Sequence, residues 1–479
     1  MLFRSSYTVP KPLGAERWPS QIKYIVGNEA CERFSYYGMR SVLAGYITGA
    51  VLRGGLGQDA DTSTRIIHLF VSANYFMPLL GAWLSDKLIG RYNTILWVSL
   101  FYCAGHGVLA CSDLFGSAGG KLACLYAGLA LIAFGSGGIK PCVSAFMGDQ
   151  FRPDQSHLLQ KAYGAFYWAI NFGSFFSFLA IPWIKDRWGY SLAFGVPGIL
   201  MAVATLIFWL GTPRYVRVPP SRESHTAGFF KVLWFALRAP RAAGAAFWDA
   251  ALGRFSRQEV DAAKSVLPIL FVFALVPAFW TLFDQTNSTW VLQGQMMTAV
   301  QLGGFTLGAE QMQSVNPVFV MALVPLLTLL VYPRIGRFAS PLRRMSAGMF
   351  LGAFSYLVVA ALQSRLEGGA HLSVLWQLLP YFILTAAEVL ISTTGLEFAY
   401  REAAPEMKST IMSFWLLTVA FGNLLVAGIT QALGDGSHSG SVSASRFLLY
   451  AGMTFVVAVL FSLVSRTYRY RDAAAARGE

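Results

Sequence analysis

The sequence predicts an all-α integral membrane protein whose twelve transmembrane helices form two six-helix bundles around a central cavity. Three observations carry that expectation. Of 479 residues, 55% are hydrophobic and only 13% are charged, roughly half the charged share of a soluble domain. Twelve apolar stretches are each long enough to cross a bilayer. They fall as six, a polar break, and six more. The mean hydropathy of +0.51 points the same way.

The expected spans cover about 24–52, 62–87, 93–112, 121–144, 159–183, 190–211, 264–289, 312–335, 344–364, 373–398, 408–433 and 446–467. They divide the chain into an N-terminal tail (1–23), a first bundle (24–211), a linker (212–263), a second bundle (264–467) and a C-terminal tail (468–479). An even number of spans puts both termini on one side. Roughly 27 Lys and Arg fall in the tails and even-to-odd loops against about 7 in the opposite loops, so the positive-inside rule makes that side cytoplasmic. The first twenty residues contain Arg4, Lys11 and Arg17 and no apolar core, so no cleavable signal peptide is expected.

A net charge of +13 raises nucleic acid as a partner. The basic residues are scattered over loops, with no soluble domain to gather them, and this excludes that class. The five cysteines (Cys31, Cys103, Cys111, Cys124 and Cys142) lack metal-ligand spacing and read as free thiols, with no metal and no cofactor expected. In the linker, Phe229 to Phe255 interleaves aromatic and aliphatic residues with Lys231, Arg238, Arg241 and Arg254. That mixture predicts a helix lying in the membrane surface, its cations near anionic lipid.

The loop after the second span reads Gly81-Ala-Trp-Leu-Ser-Asp86-Lys87-Leu-Ile-Gly90-Arg91, and the loop after the eighth reads Tyr332-Pro-Arg334-Ile-Gly336-Arg337. The shared Gly and Arg punctuation is a weak internal repeat. With the six-plus-six pattern, it resembles the cytoplasmic loop signature of the major facilitator superfamily and implies that fold.

Polar residues at membrane depth are the informative remainder, because ionisable groups there must face a protein interior or a water-filled cavity. On the first span, Glu29, Glu32, Arg33, Tyr36, Tyr37 and Arg40 share a sector of roughly 140°. His68, Tyr75, Lys140, Tyr167 and Asn171 follow in the first half, then Trp280, Asp284, Asn316, Glu388, Ser392 and Trp415 in the second. Helical spacing pairs His68 with Tyr75, Tyr167 with Asn171, Trp280 with Asp284 and Glu388 with Ser392, each pair on one helix face. The intramembrane cations Arg33, Arg40 and Lys140 belong to the first half and the acids Asp284 and Glu388 to the second. Walls of opposite sign suit a zwitterion with separated ends.

Two stretches sharpen this. Glu29-x-x-Glu32-Arg33 followed by Phe34-Ser-Tyr36-Tyr37-Gly38, together with Phe166-Tyr167-Trp-Ala-Ile-Asn171-Phe-Gly173-Ser174, closely resembles the signatures of the proton-dependent oligopeptide transporter family. The resemblance extends through Gly135-Ser-Gly-Gly-Ile-Lys140-Pro141 and Glu388-Val-Leu-Ile-Ser392. It implies a bacterial inner-membrane symporter, working as a monomer, that imports di- and tripeptides with protons by alternating access. It assigns proton coupling to Glu29, Glu32 and Arg33, and the peptide carboxylate to Arg40 and Lys140, with Tyr37 beside them. It assigns the peptide amino end to Glu388, Asn171 and Asn316. Tyr37, Tyr75, Tyr167, Trp280, Ser392 and Trp415 are expected to line the cavity, and Arg40 with Asp284 to form an extracellular gate. Many bacterial members carry an extra helix pair between the halves, for which residues 212 to 263 are too short and too charged. His68 matches a histidine typical of animal members.

Coupling then has a physical form. A buried carboxylate stays ionised beside a cation and takes a proton when it loses that partner. Glu32, alone or with Glu29, is expected to exchange among Arg33, Lys140 and a proton as the peptide carboxylate competes for the cation. His68 has two readings, a second proton site or a histidine bonded to a backbone carbonyl or near Tyr75. Other readings of the whole chain are a porter of another small anion or metabolite, and a peptide sensor without transport. An intramembrane enzyme is not expected, since no His-Glu-x-x-His, Gly-x-Ser-x-Gly or paired-Asp motif is present.

Overall fold

The computed structural model describes residues 18–152, 155–220, 228–239, 246–336, 340–434, 440–468 and 470. The chain runs through α1 (Ile22–Thr48), α2 (Ala60–Trp83), α3 (Arg91–Ala110), α4 (Ala118–Gly148) and α5 (Ser156–Leu210) in its first half. The linker holds α6 (Phe229–Arg238) and leads into α7 (Arg257–Lys264). The second half contains α8 (Val266–Phe273), α9 (Pro277–Phe283), α10 (Thr289–Gln295), α11 (Val315–Pro325), α12 (Tyr332–Ile335), α13 (Pro341–Glu367), α14 (Leu378–Glu402), α15 (Lys408–Leu433) and α16 (Ala444–Thr467). Arg4, Lys11, Arg17, Arg241 and Arg337 lie outside the described residues.

Nine of the described helices are long and apolar enough to cross a membrane, or ten if one bent pair counts as a single span. Two features of the chain explain why this falls short of the twelve spans expected. Helix α1 fails on apolarity because Glu32, Arg33 and Arg40 are close together. Helix α5 is two helices in one run, broken at Gly189, whose φ of +84° is open to glycine without strain. The expected straight span over 264–289 is instead the bent pair. Its parts, Arg257–Phe273 and Pro277–Gln295, meet at 43°, because Pro277 cannot donate to the preceding turn and clashes with it.

Local chemistry sets several ends. Asp59 caps α2 by accepting from the Thr62 amide at 2.7 Å, and Ser256 with Glu259 forms a reciprocal capping box on α7. The two related loops share more than their glycines. Each follows a π-helical turn, Leu84–Ile89 and Leu326–Val331, and their glycines Gly90 and Gly336 adopt φ of +79° and +50°. The repeat is therefore one of backbone geometry as well as of sequence.

Within the first half α1 packs along α5, and α4 packs against α2 and α3; within the second, α13 packs against α14 and α16. Close crossings fall on glycines. A Cβ at Gly81 would lie 2.0 Å from the Gly138 carbonyl oxygen, and one at Gly135 would lie 2.7 Å from Tyr102 Cα. Across the halves α2 packs on α15.

Two elements depart from expectation. A two-stranded antiparallel hairpin, β1 (Val300–Leu302) and β2 (Phe305–Leu307), follows α10, with Gly303 at φ +63° in its turn. The expected surface helix over 229–255 is shorter. It is α6 followed by a 3₁₀ segment at Phe247–Gly253. Helix α6 buries Phe229, Val232 and Ala236 while exposing Phe230, Trp234 and Leu237. The side bearing α6 is called the linker face below, and the side bearing the hairpin is the hairpin face.

Candidate functional site

The buried face of α1 is the ionic centre of the first half. Arg33 Nε donates to Glu29 Oε1 at 2.7 Å and lies 2.8 Å from Glu32 Oε2, with all three residues at most 6% exposed. Glu29 is one turn before Arg33, the favourable order for a helical pair. Glu32 Oε1 also accepts from Ser136 on α4 at 3.4 Å. Gly173 lets α5 approach this turn, since a Cβ there would meet the Ala30 carbonyl oxygen at 2.4 Å.

Two turns further along α1, Arg40 Nη2 donates to Asp284 Oδ1 at 2.7 Å, joining the two halves in a buried ion pair. Asp284 Oδ2 accepts from Asn423 Nδ2 at 2.8 Å. Asn423 Oδ1 is 2.6 Å from His68 Nδ1, and His68 Nε2 is 2.8 Å from Ser288 Oγ. The network fixes its own polarity. Asn423 Nδ2 already donates to Asp284 and to the Val419 carbonyl, so its oxygen faces the histidine and His68 Nδ1 carries the hydrogen. Neutral His68 therefore accepts from Ser288 at Nε2. Its partners are side chains of the second half, neither a backbone carbonyl nor Tyr75.

Further contacts between the halves cluster toward the hairpin face. Lys185 Nζ reaches Glu310 Oε2 at 2.5 Å, Gln313 Nε2 donates to the Ser41 carbonyl at 3.2 Å, and Thr64 Oγ1 lies 3.0 Å from Ser441 Oγ. Arg65 pairs with Gln431.

Beneath this closure lies a cavity of about 230 Å³. Ten of the sequence-predicted residues line it: Tyr37, Arg40, Tyr75, Tyr167 and Asn171 from the first half, and Trp280, Asp284, Asn316, Glu388 and Ser392 from the second. Asn316 Nδ2 donates to Glu388 Oε2 at 2.8 Å and to Thr385 Oγ1 at 3.1 Å. Among the described residues, Glu388 has no cation within ion-pair distance. Asn171 Nδ2 is occupied by the Tyr167 carbonyl one turn back at 2.9 Å. Trp280 Nε1 donates to Thr418 Oγ1 at 3.1 Å, fixing the indole in the cavity wall.

Two expected members stand elsewhere. Lys140 is not in the lining. Its ammonium sits 4.1 Å from the centroid of Tyr75, a ring that does line the cavity, and 5.7 Å from that of Tyr36. It makes no ion pair with Glu32 or any other described residue; aromatic faces hold the cation instead. Trp415 is also behind the wall, its ring 2.0 Å from where a Cβ at Gly395 would be and packed on Trp280 and Phe273. The empty side of Gly395 is what draws the indole away from the lumen.

Sequence reasoning missed Asn423 and Ser288, the links between His68 and Asp284, and it missed the Lys185 and Glu310 pair. Asn423 had a readable signal, a lone amide in an apolar span. Lys185 and Glu310 were assigned to loops and gave none. His106, fully buried and bonded to Ser35 Oγ at 2.9 Å, also went unremarked.

Two bundles closing a polar cavity, with an ion pair across the seam, are the architecture of a membrane transporter. A family model described as the POT family matches residues 92–445, and the chain belongs to that family. The solute carrier family 15 member 2 of Rattus norvegicus is 38% identical over 381 residues, covering 76% of this chain and 51% of its own. Peptide transporter 3 of Caenorhabditis elegans is 37% identical over 367 residues, covering 73% and 51%. The chain thus spans about half the length of these animal relatives. Among solved structures, an auto-inhibited POT family peptide transporter superposes with a TM-score of 0.85 at 39% identity, covering 94% of this chain and 98% of that one. The in meso structure of the POT family transporter PepTSo gives 0.86 at 40%, covering 94% and 99%.

Proposed function

We propose that the protein is a proton-coupled symporter that imports di- and tripeptides across a bacterial inner membrane by alternating access. The observation that carries this reading is one cavity holding Arg40 from the first half and, on the second, a carboxylate, Glu388, with no cation of its own among the described residues. A peptide offers the complement of both. Its carboxylate takes Arg40, with Tyr37 beside it, and its ammonium takes Glu388, with Asn316 and Asn171 completing the shell. The names of the relatives, peptide transporters among them, agree with that cargo.

Glu29, Glu32 and Arg33 are the proton machinery in this reading. Arg33 is shared by two carboxylates, so one proton on either acid leaves the other fully paired. The route by which the peptide carboxylate competes for a cation runs through Arg40 rather than Lys140. When Arg40 turns to the peptide, Asp284 loses its cation, and Asn423 passes the change to His68. Lys140 belongs to the same first-half wall through its contact with the Tyr75 ring, and Trp415 buttresses Trp280. In this reading the linker face and both termini are cytoplasmic, and the closed hairpin face is periplasmic. Residues 24–211 and 264–467 are the two moving bundles, with 212–263 between them. A monomer suffices, without metal, cofactor or enzymatic step.

Purified protein in proteoliposomes tests this. An imposed inward proton gradient is expected to drive accumulation of di-alanine above equilibrium. Absence of gradient-driven uptake for a panel of di- and tripeptides overturns the reading.

A further inference from the structure

A groove of about 580 Å³ runs along the outer surface between the bent seventh span and α15. Ala274, Pro277, Leu417, Phe421 and Leu425 line it, and Phe414 lies at its linker-face end. Its length follows from the helix. The eleven steps from Phe414 to Leu425 rise roughly 16 Å at 1.5 Å each, a distance comparable with an acyl chain. The lining is apolar throughout in effect, because the hydroxyl of Thr418 accepts from Trp280 and donates to the Trp415 carbonyl. The one hydroxyl hydrogen in the lining is thus already committed inward.

Grooves on membrane proteins fill with hydrocarbon; the end of this one sets it apart. Helix α6 sits across it, with the rings of Phe229 and Phe230 5.8 and 5.7 Å from that of Phe414. The outward stripe of α6 is Phe230, Trp234 and Leu237, all more than half exposed. Lys231 follows Phe230 directly and is exposed, with no ion pair among the described residues. Arg238, one turn beyond Trp234, stacks on that indole at 4.0 Å. An apolar slot whose linker-face end meets the ring of Phe230, the residue before an exposed lysine with no ion pair among the described residues, matches a phospholipid in shape and charge.

We propose that this groove is a binding site for one anionic phospholipid, with an acyl chain along Ala274, Leu417 and Phe421 and its phosphate at Lys231. The chain would lie against the joint at which α8 gives way to α9, so the lipid packs on the point where the seventh span bends.

Lipid retention, measured by native mass spectrometry on the purified full-length protein, tests it. The probes are phosphatidylglycerol and phosphatidylcholine with identical acyl chains. One phosphatidylglycerol is expected to be held about fivefold more tightly than phosphatidylcholine, the factor expected for one lysine near a phosphate. Lys231→Gln is expected to abolish the preference, and Arg187→Gln, on the hairpin face, to leave it unchanged. Leu417→Trp fills the groove and is expected to lose both lipids; if that variant does not elute as a monodisperse species, Ala274→Leu serves the same purpose. Equal retention of the two lipids by the parent, an unchanged preference in Lys231→Gln, or full retention in the filled groove overturns the proposal. So does equal competition by soluble glycerol phosphate, which has the headgroup chemistry without the chain.

Discussion

Asn423 holds Asp284 from the side opposite Arg40, donating to Oδ2 at 2.8 Å while Arg40 Nη2 holds Oδ1 at 2.7 Å. The carboxylate is thereby bonded to both halves of the molecule at once. Removing one partner of such a buried pair leaves a charge without compensation, at a cost of about 3 to 5 kcal/mol. Asp284→Asn should therefore weaken the closed hairpin face. Spin labels at the exposed positions Arg53 and His371, read by pulsed electron resonance, should show a longer mean distance than in the parent. An unchanged distribution removes the pair from the gate.

Asn423 links His68 to Asp284 by hydrogen bonds. A second proton on His68 would make Nε2 a donor, and Ser288 would have to accept, turning its own hydroxyl toward the Gln285 carbonyl, 3.5 Å away. Protonation is thus sterically permitted. Gradient-driven uptake by His68→Gln should lose part of the parent's dependence on pH on the acid side of neutrality. A superimposable pH profile would mean that the histidine never titrates.

Glu32→Gln should uncouple the cycle. A neutral amide keeps the volume beside Arg33 and Ser136 but cannot release a proton. Accumulation against a gradient should disappear, while exchange of labelled for unlabelled peptide across the same vesicles continues. Undiminished accumulation places the coupling proton elsewhere.

Glu388→Gln is a test of substrate polarity. Losing a charge-assisted bond to the peptide ammonium costs about 1.5 to 3 kcal/mol, or roughly 10- to 100-fold in KM. N-acetylated peptides lack that ammonium and should be affected little. Equal losses for free and acetylated peptides would assign Glu388 a structural role.

The helix crossing at Gly135 offers a check on the fold itself. A methyl group there would meet the backbone of Tyr102 at 2.7 Å, and the helices can separate only by disturbing their packing. Gly135→Ala should lower stability by about 1 to 3 kcal/mol, measured as a reduced melting temperature in detergent. Gly107, on the same pair of helices, has open space around it, so Gly107→Ala should be neutral by the same assay.

Most of the architecture was legible because apolar length and charge placement act locally along a chain. The ionic face of α1 was readable for the same reason: helical spacing puts Glu29, Glu32, Arg33 and Arg40 together whatever surrounds them. Depth and direction across helices were less accessible. Lys140 packs on the ring of Tyr75, a contact between α4 and α2 that depends on how those helices meet at Gly81 and Gly138. Trp415 turns away because of a glycine on a neighbouring helix. The break at Gly189 was invisible to hydropathy, since one rotated residue interrupts a helix without altering its composition.

The paired π turns and their left-handed glycines have a further implication for substitution. A side chain at either glycine would be held at positive φ and strained. The same substitution at Gly90 and at Gly336 therefore meets the same obstacle, once in each half of the chain.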